Sequence, residues 1–555
     1  MAGNSNTLKK FLDILRYEKS DISTIYFYAI FSGLVQLSLP IGIQSIISFV
    51  LGGSISTSLV LLIAFVIIGV FVAGWLQVSQ MRLIEKIQQQ LFVRYSFQYA
   101  YTIPRLDLQQ VDKYYLPELV NRFSDTISLQ KGISKLLLDV PAATIQIVFG
   151  LILLSFYHPM FIMFGVLLLT ILYLILRATG NKGMETSIEE SDYKYRVLAY
   201  LEELARVIGT FKFSRNSSIH LHRTDEQVSG YLRARTAHFR ILLFQYWTLI
   251  GFKVLITAAM LIVGALLLVD QQLNIGQFIA AEIVIIMVMT SVEKLIVNLE
   301  KVYDVMTAVE KITKVTDKQQ EVSGTLKLAT DRNGLSVTIR NLSFRYTDDS
   351  PVLRNVDLTI NEGDKVDISG AQGAGKSSLL RLMSGAYLNF EGSLLINGVP
   401  IHQYEAASLR SNIGVLFSSH ELFEGTLYEN ITLGDDSITY KQIYDLAEVV
   451  GLKSFIEEHK EGYNRTIRPA GQHLSGRIGK KLLLMRALIH KPKLLLLEDP
   501  LQGIEPQYTA RILQYILTEL PGVTVVAISN DNAFKAGCNK QVVLENGSIT
   551  SIKEN

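Results

Sequence analysis

The sequence predicts a polytopic α-helical membrane domain followed by an α/β domain that binds nucleotide. The N-terminal part holds three long stretches with few or no charged side chains. Behind them, Gly370–Ser377 fits the pattern G-x-x-x-x-G-K-S, between an apolar run and a helical pattern. A mean hydropathy of +0.28 with 19% charged residues is too apolar for an ordinary soluble protein of 555 residues. Both halves of the prediction therefore agree with the composition.

The three apolar stretches divide into six membrane spans. Residues 22–81 and 140–176 contain no Asp, Glu, Lys or Arg. Because a hydrocarbon core of about 30 Å needs about 20 apolar residues per helix, each of these stretches holds two spans. The third stretch, residues 242–296, holds two more, on either side of the polar segment 270–274. The predicted spans are 22–50, 56–81, 136–157, 159–179, 242–269 and 275–298.

The segments between the spans predict the orientation. The N-terminal segment and the two long connections, 82–135 and 177–240, are rich in Lys and Arg, whereas the three short turns have none. Basic residues concentrate on the cytosolic side of a membrane, so the N-terminus and both connections are predicted to be cytosolic. The sixth span then ends in the cytoplasm, where the nucleotide domain meets ATP. The sequence thus predicts an integral membrane protein, with the bilayer as one of its partners.

A few charged residues lie inside the last two spans, and one of them, Glu282, is a candidate for a functional role. Lys253 and Glu293 lie at matching depths, so an ion pair between them is expected. Glu282 lies nearer the outer end of its span and has no partner at the same depth. Ionisable residues within a membrane usually face a cavity or the bundle interior. Glu282 therefore either lines a transport path or makes a polar contact between helices, and the sequence leaves both possibilities open.

The glycine-rich segment, here called the phosphate loop, explains which residues would bind ATP and Mg²⁺. Its glycines let successive backbone N–H groups face phosphate oxygens, and the following helix adds its positive end. Lys376 is placed to reach the β- and γ-phosphates, and the Ser377 hydroxyl to ligate Mg²⁺. The predicted phosphate-binding residues are Gly370, Gln372, Gly373, Ala374, Gly375, Lys376, Ser377 and Ser378.

The composition argues against a nucleic-acid partner and a disulfide framework, and a polar segment marks the boundary between two domains. A net charge of +2 gives no support for a nucleic-acid partner, and the single cysteine, Cys538, excludes an internal disulfide framework. A polar segment at 316–333 is predicted to link a membrane domain, 1–315, to an ATP-binding domain, 334–555.

Further motifs follow in a fixed order and carry a family resemblance. They are Tyr346 in a strand pattern, Leu474-Ser475-Gly476, and the apolar run Leu494–Leu497 that ends in two carboxylates. Together with the phosphate loop, this set resembles the ATPase domain of ABC transporters. The whole chain resembles a half-size ABC exporter, and its membrane segments look most like the type 1 secretion and bacteriocin-export group. This resemblance implies the inner or plasma membrane of a bacterium.

The resemblance implies roles for these residues and for partners. Tyr346 would stack on adenine, and Glu498 would hold Mg²⁺ through water. Each ATP in this family lies between two subunits, so Ser475 and Gly476 would contact the nucleotide of a second half-transporter. A peptide or small protein is the implied cargo, with a periplasmic adaptor and an outer-membrane channel as further candidate partners. Short transverse helices that dock on the ATPase domains would lie near 106–119 and 203–215.

The carboxylate pair departs from the family pattern. Family members usually read Asp-Glu-Pro where this chain reads Glu498-Asp499-Pro500. Asp499 thus stands where a glutamate usually polarises the attacking water, and its side chain is one methylene shorter. Losing a general base typically costs about 10²–10⁴ in rate. The sequence therefore predicts a site that binds MgATP but hydrolyses it slowly or not at all.

Four other positions also differ from the family. Asn530 replaces the switch histidine, and Ser418 replaces a glutamine that would span to Mg²⁺ and water. The segment that begins Leu474-Ser475-Gly476 stands at the family's signature, and Arg477 replaces its second glycine. Glu505 replaces an aspartate. Three functions stay open at this point. The chain is an exporter subunit in a heterodimer or a slow homodimer, an ATP-gated regulator or sensor that does not transport, or a lipid or drug exporter.

Overall fold

The computed structural model describes residues 2–52, 57–111, 116–213, 217–329, 331–346 and 351–554, without the side chains of residues 2–6. The chain forms two compact units. The first comprises Met1–Pro104 with Tyr114–Lys318, and the second comprises Arg105–Lys113 with Gln319–Asn555. Parts of three predictions lie outside the described residues: position 56 of the second span, position 330 of the linker, and positions 112–115 and 214–215 of the transverse helices.

The described part of residues 2–316 forms eleven α-helices, ten of which belong to the first unit. In chain order they are α1 (Ala2–Tyr17), α2 (Lys19–Gln36), α3 (Ser38–Leu51), α4 (Thr57–Thr102), α5 (Leu108–Val111), α6 (Leu116–Asn121), α7 (Asp125–Tyr157), α8 (Met160–Arg206), α9 (Ile208–Lys212), α10 (Ile219–Val269) and α11 (Ile275–Thr316). Of these, α5 belongs to the second unit. There the Asp107 N–H donates to the Gln319 carbonyl at 3.3 Å, and the Gln109 amide donates to the Arg345 carbonyl at 3.2 Å.

Six helical segments of the described chain are long and apolar enough to cross a membrane, which confirms the predicted count. Several greatly exceed a membrane span: α4 has 46 residues and α10 has 51, or about 69 and 77 Å at 1.5 Å per residue. The first segment differs from the prediction because α2 ends at Gln36 and α3 begins at Ser38. Pro40 accounts for the interruption, since it has no N–H to donate to the carbonyl of Gln36.

Small residues allow α7 and α11 to pack closely. A Cβ atom added to Gly132 would lie 2.2 Å from the Val305 side chain, and one added to Gly150 would lie 2.4 Å from that of Val288. Ala280, Ala281 and Val284 of α11 are likewise fully buried. The sixth span therefore forms much of the interior of this unit.

The intramembrane charges behave as the depth argument predicts. The Lys253 ammonium forms an ion pair with the Glu293 carboxylate, which confirms that expectation. Glu282 is half-buried and makes no hydrogen bond or ion pair with the part of the chain that the structure describes. The structure thus leaves Glu282 available to a group outside the described chain.

The second unit contains two main sheets and one short strand pair. Its strands are β1 (Val337–Phe344), β2 (Leu353–Ile360), β3 (Lys365–Ser369), β4 (Glu391–Ile396), β5 (Val399–Pro400), β6 (Ile413–Leu416), β7 (Gly425–Thr426), β8 (Thr466–Ile467), β9 (Leu494–Glu498), β10 (Thr524–Ile528), β11 (Lys540–Glu545) and β12 (Ser548–Glu554). The first sheet is antiparallel with the order β2-β1-β4-β5, and β7 pairs with β8. The second has the order β12-β11-β3-β10-β9-β6 and is parallel except for β12.

Helices cover the parallel sheet on both faces, as its fully buried central strands β9 and β10 require. They are α12 (Lys376–Met383), α13 (Ala406–Arg410), α14 (Leu427–Thr432), α15 (Tyr440–Val450), α16 (Lys453–Glu457), α17 (Gly476–Ile489), α18 (Pro506–Gln514) and α19 (Asn532–Gly537). Helix α12 packs into a core shared with β1 and β4, whereas α15, α17 and α18 pack into a second core. The order β3-β10-β9-β6 brings the carboxyl ends of four parallel strands to one edge, where the candidate site lies.

Candidate functional site

The phosphate loop leaves β3 and enters α12, in the strand, loop and helix context that the sequence predicts. Gly370 has a φ of +143°, and a Cβ atom there would lie 2.0 Å from the carbonyl oxygen of Leu544. The position therefore tolerates only glycine without a backbone shift. The Lys376 ammonium donates to the carbonyls of Gly370 at 2.8 Å and Ala371 at 2.7 Å, which folds this side chain back over its own loop.

The other predicted loop residues divide by exposure. Gln372, Gly373 and Ser377 are exposed, whereas Ala374 and Ser378 are buried. Gly375 is also buried, and its φ of +98° directs the chain into the first turn of α12. The exposed Ser377 hydroxyl at the start of α12 is thus free to face a ligand.

Tyr346 lies against the same helix. Its hydroxyl group is 2.8 Å from the Ser378 hydroxyl. Its ring packs edge-on against Phe344 and Tyr387, with centroid separations of 4.9 and 5.4 Å. The structure therefore places Tyr346 next to the phosphate loop, and its stacking on adenine stays a prediction.

The opposite part of the site, here called the carboxylate edge, consists of Ser418, Glu498, Asp499 and Asn530. Glu498 ends β9 and is 4% exposed. Its Oε2 atom accepts hydrogen bonds from the Ser418 N–H at 2.8 Å and hydroxyl at 2.7 Å. Its Oε1 atom is buried and accepts none from the described residues. An unpaired buried carboxylate oxygen is costly, so this atom is suited to a bound cation or water.

These groups fit Mg²⁺. The cation prefers oxygen ligands and usually keeps several water molecules, held by one or two carboxylates and by substrate phosphates. The free Oε1 of Glu498 and the exposed hydroxyl of Ser377 are oxygen ligands of this kind. Ser418, which replaces the glutamine that would span to Mg²⁺, binds Glu498 instead, a contact that the sequence did not predict.

Asp499 and Asn530 lie together at the ends of the neighbouring strands β9 and β10. The Asn530 amide is 3.5 Å from an Asp499 carboxylate oxygen. Asp499 has a φ of +43°, and its N–H donates to the Ile528 carbonyl at 2.8 Å. An amide carries no titratable proton near neutrality, so Asn530 cannot exchange a proton with a phosphate or with water.

The signature residues occupy the start of α17. Ser475 and Gly476 are exposed, and the Ser475 hydroxyl accepts a hydrogen bond from the Ile478 N–H at 3.4 Å. Arg477 is exposed in the first helical turn. Glu505 contacts Lys481 at 2.7 Å, and the hydrogen bond from Lys481 lowers the pKa of the Glu505 carboxyl.

Two charged residues near the site were missed by the sequence analysis. Lys480 of α17 donates to the main-chain carbonyl of Glu498 at 3.2 Å. Asp367 of β3 is 1% exposed, and burial raises its pKa to about 6, against smaller opposing effects of Lys535 and the Ser529 backbone. No local pattern marks either residue, because the Lys480 contact and the burial of Asp367 both depend on parts of the chain that lie apart in the sequence.

Two family models match the chain. One, described as ABC transporter transmembrane region, matches residues 22–292. The other, described as ABC transporter, matches residues 353–502 and thus includes the phosphate loop and the carboxylate pair.

Secretion proteins are among the similar curated sequences. The chain is 28% identical over 356 residues to the alpha-hemolysin translocation ATP-binding protein HlyB of Escherichia coli O157:H7. It is also 28% identical over 356 residues to the leukotoxin translocation ATP-binding protein LktB of Mannheimia haemolytica. Each match covers 63% of this chain and 50% of the relative. The chain thus spans about half the length of these curated relatives.

A solved structure of a bacterial Atm1-family ABC exporter with ATP bound has a similar fold. The TM-score is 0.83, and the match covers 97% of this chain and 95% of that chain at 18% identity. At this identity the likeness concerns the fold alone, and it confirms the predicted fold class.

Proposed function

The chain belongs to the ABC transporter family, and we propose that it is an exporter subunit that binds MgATP and hydrolyses it slowly. One contrast carries this proposal. The phosphate loop keeps every group that binding requires, whereas Asp499 and Asn530 stand where a longer carboxylate and a titratable ring are usual in the family. Binding and hydrolysis are therefore expected to be separated in this chain.

Binding would begin at the phosphate loop. The backbone N–H groups of the loop and the start of α12 would receive the β- and γ-phosphates. Lys376 would exchange its bonds to the Gly370 and Ala371 carbonyls for bonds to phosphate oxygens. Mg²⁺ would be held by the Ser377 hydroxyl and by Glu498 through water, and would neutralise phosphate charge. Ser418 keeps the Glu498 carboxylate in place for this role.

Hydrolysis would be limited by the geometry of the base. A general base must lie within hydrogen-bond reach of the attacking water. One missing methylene withdraws the Asp499 carboxylate by roughly 1.5 Å, a single-bond length. Asn530 supplies an amide donor but no proton. We therefore expect turnover far below the 1–10 per second that is ordinary for an enzyme, about 10²–10⁴-fold lower when a base is lost.

The transport role rests on family membership and on the relatives. In the proposed arrangement the N-terminus and the ATPase domain face the cytoplasm, and two subunits enclose ATP between them. A heterodimeric partner with intact catalytic residues would use Ser475 and Gly476 of this chain. The names of the hemolysin and leukotoxin relatives support a peptide or small protein as cargo. An adaptor and an outer-membrane channel would complete a secretion path of that kind.

A second candidate function follows from the carboxylate edge. If no partner restores turnover, ATP binding alone would shift the chain between two conformations, and the protein would act as an ATP-gated regulator. The altered residues Asp499 and Asn530 favour this alternative. Cargo-stimulated hydrolysis with a partner would exclude it.

The proposal is tested by measuring binding and turnover on the same purified, reconstituted protein. We expect saturable binding of MgATP together with very low phosphate release. Lys376→Ala should weaken binding at least about tenfold, because it removes a charge from the triphosphate site. Absence of saturable binding by the wild-type chain, or rapid wild-type turnover, would contradict the proposal.

A further inference from the structure

Lys480 connects the signature helix to the carboxylate pair. It lies on α17, one turn after Gly476, and is half-buried. Its ammonium donates a 3.2 Å hydrogen bond to the main-chain carbonyl of Glu498. That carbonyl belongs to the peptide bond between Glu498 and Asp499. Lys480 therefore contacts the one peptide unit from which both carboxylate residues extend.

The same peptide unit is held on its other side. The N–H of Asp499, which completes this unit, donates to the Ile528 carbonyl of β10 at 2.8 Å. With its oxygen bound to α17 and its N–H bound to β10, the peptide plane has little freedom to rotate. Asp499 adopts a φ of +43° next to it, a left-handed conformation that costs about 1–2 kcal/mol for a residue other than glycine. The direction of the Asp499 carboxylate depends on this restraint.

The direction of its side chain distinguishes Lys480 from its neighbour. Lys481, the next residue, points elsewhere: it donates to the Gly451 carbonyl at 3.2 Å and pairs with Glu505 at 2.7 Å. Of these two consecutive lysines, Lys480 is the one directed to the carboxylate pair.

We propose that Lys480 is a positioning residue of the nucleotide site, which fixes the Glu498–Asp499 peptide and allows ATP to bind before Mg²⁺ does. Two adjacent carboxylates repel a triphosphate, and Mg²⁺ normally offsets that repulsion. The Lys480 ammonium, which is bound to the same peptide, offsets part of this repulsion without a metal. The charge of Lys480 should therefore matter most when Mg²⁺ is absent. This inference rests on the proposed ability of the chain to bind ATP.

The test compares ATP binding with and without Mg²⁺ in the full chain. Trinitrophenyl-ATP is titrated into detergent-solubilised protein, once in excess Mg²⁺ and once in EDTA. Lys480→Gln keeps a hydrogen-bond donor but removes the charge, and should weaken binding in EDTA about tenfold but in Mg²⁺ less than about threefold. Lys480→Arg keeps the charge and should stay within about threefold of wild type in both conditions. Lys441→Gln, at an exposed lysine of α15, is the control and should change neither value.

The outcomes separate a charge effect from simple structural support. An equal loss in Mg²⁺ and in EDTA, or the same loss in Lys480→Arg as in Lys480→Gln, would assign Lys480 a structural role only and overturn the inference. Unchanged binding of Lys480→Gln in EDTA would also overturn it. Failure of the wild-type chain to bind the nucleotide in Mg²⁺ would instead contradict the proposed function.

Discussion

The phosphate loop and the carboxylate edge lie at adjacent strand ends of one sheet, but they differ in how far they keep the family pattern. The loop after β3 has all the glycines, the lysine and the serine that phosphate binding needs. The edge formed by β10, β9 and β6 has Asn530, the inverted pair Glu498-Asp499, and Ser418 in place of the usual residues. We expect the affinity for ATP to depend mainly on the first region and the turnover mainly on the second.

The two regions differ in how the structure constrains their residues. Gly370 is confined by the Leu544 carbonyl, so this position of the loop cannot accept a larger residue without moving a neighbouring strand. At the carboxylate edge, by contrast, the Glu498 carboxylate accepts hydrogen bonds from the Ser418 N–H and hydroxyl, where the family resemblance leads us to expect a glutamine. The edge is therefore hydrogen-bonded with the residues that this chain has.

The largest effect is expected from Gly370→Ala. The new Cβ atom would lie 2.0 Å from the Leu544 carbonyl in a left-handed backbone conformation, and should lower the free energy of unfolding by about 2–4 kcal/mol. Gly373→Ala is the matched control, because its φ is also positive, at +82°, but its new Cβ atom would have no neighbouring side chain or strand within 4 Å. It should lower the free energy of unfolding by only about 1–2 kcal/mol. Thermal unfolding of both variants measures the difference. Equal stability would mean that the loop is not confined as described.

Asp367→Asn should have the next largest effect and the opposite sign. Burial raises the pKa of Asp367 to about 6, whereas the unfolded chain releases this proton near about 3.9. Between these values the folded state binds more protons than the unfolded state, so the free energy of unfolding falls as pH rises. This loss of stability is complete once Asp367 is ionised in the folded state as well, above pH 6. Removing the charge should stabilise the protein at pH 8 by at most about 3 kcal/mol.

The pH dependence provides the check on Asp367. The stabilising effect of Asp367→Asn should shrink as the pH falls through 6 and vanish below about 3, where this carboxyl is protonated in both the folded and the unfolded state. Thermal unfolding midpoints of both proteins, measured across this range, give the comparison. An effect that is the same at pH 5 and pH 8 would show that the charge of Asp367 is not its cause.

The smallest effect is expected from Ser418→Ala at the carboxylate edge. The substitution removes the 2.7 Å hydroxyl bond to Glu498 but leaves the backbone N–H bond. A hydrogen bond to a charged group is worth about 1.5–3 kcal/mol, and water can replace part of it. We expect the Mg²⁺ concentration for half-maximal ATP binding to rise several-fold, about fivefold. Ser419→Ala, at the exposed neighbour, should leave this concentration unchanged.

Local patterns made much of the fold predictable. Long apolar stretches with few or no charges give the six spans because membrane crossing needs long apolar helices, and Gly370–Ser377 gives the phosphate loop because its spacing reflects backbone geometry. The interruption at Leu37 was not predicted, since Pro40 also fits a continuous apolar span by composition.

The contacts of the candidate site were less predictable. Ser418 meets Glu498 only because β6 pairs with β9, and Lys480 meets the Glu498 carbonyl only because α17 packs beside the sheet. Such contacts join residues far apart in the sequence, so spacing carries no sign of them. The burial of Asp367 in β3 was missed for the same reason: its neighbours come from β10 and β11.

The most direct test of the central claim is ATPase turnover of the reconstituted wild-type chain beside Asp499→Glu combined with Asn530→His. The account predicts negligible wild-type turnover at saturating MgATP and a rise of about 10²-fold or more in the double variant, because both changes restore groups that handle the attacking water and its proton. Wild-type turnover of about 1–10 per second would contradict it. In that case Glu498, Asp499 and Asn530 would form a competent catalytic site of their own.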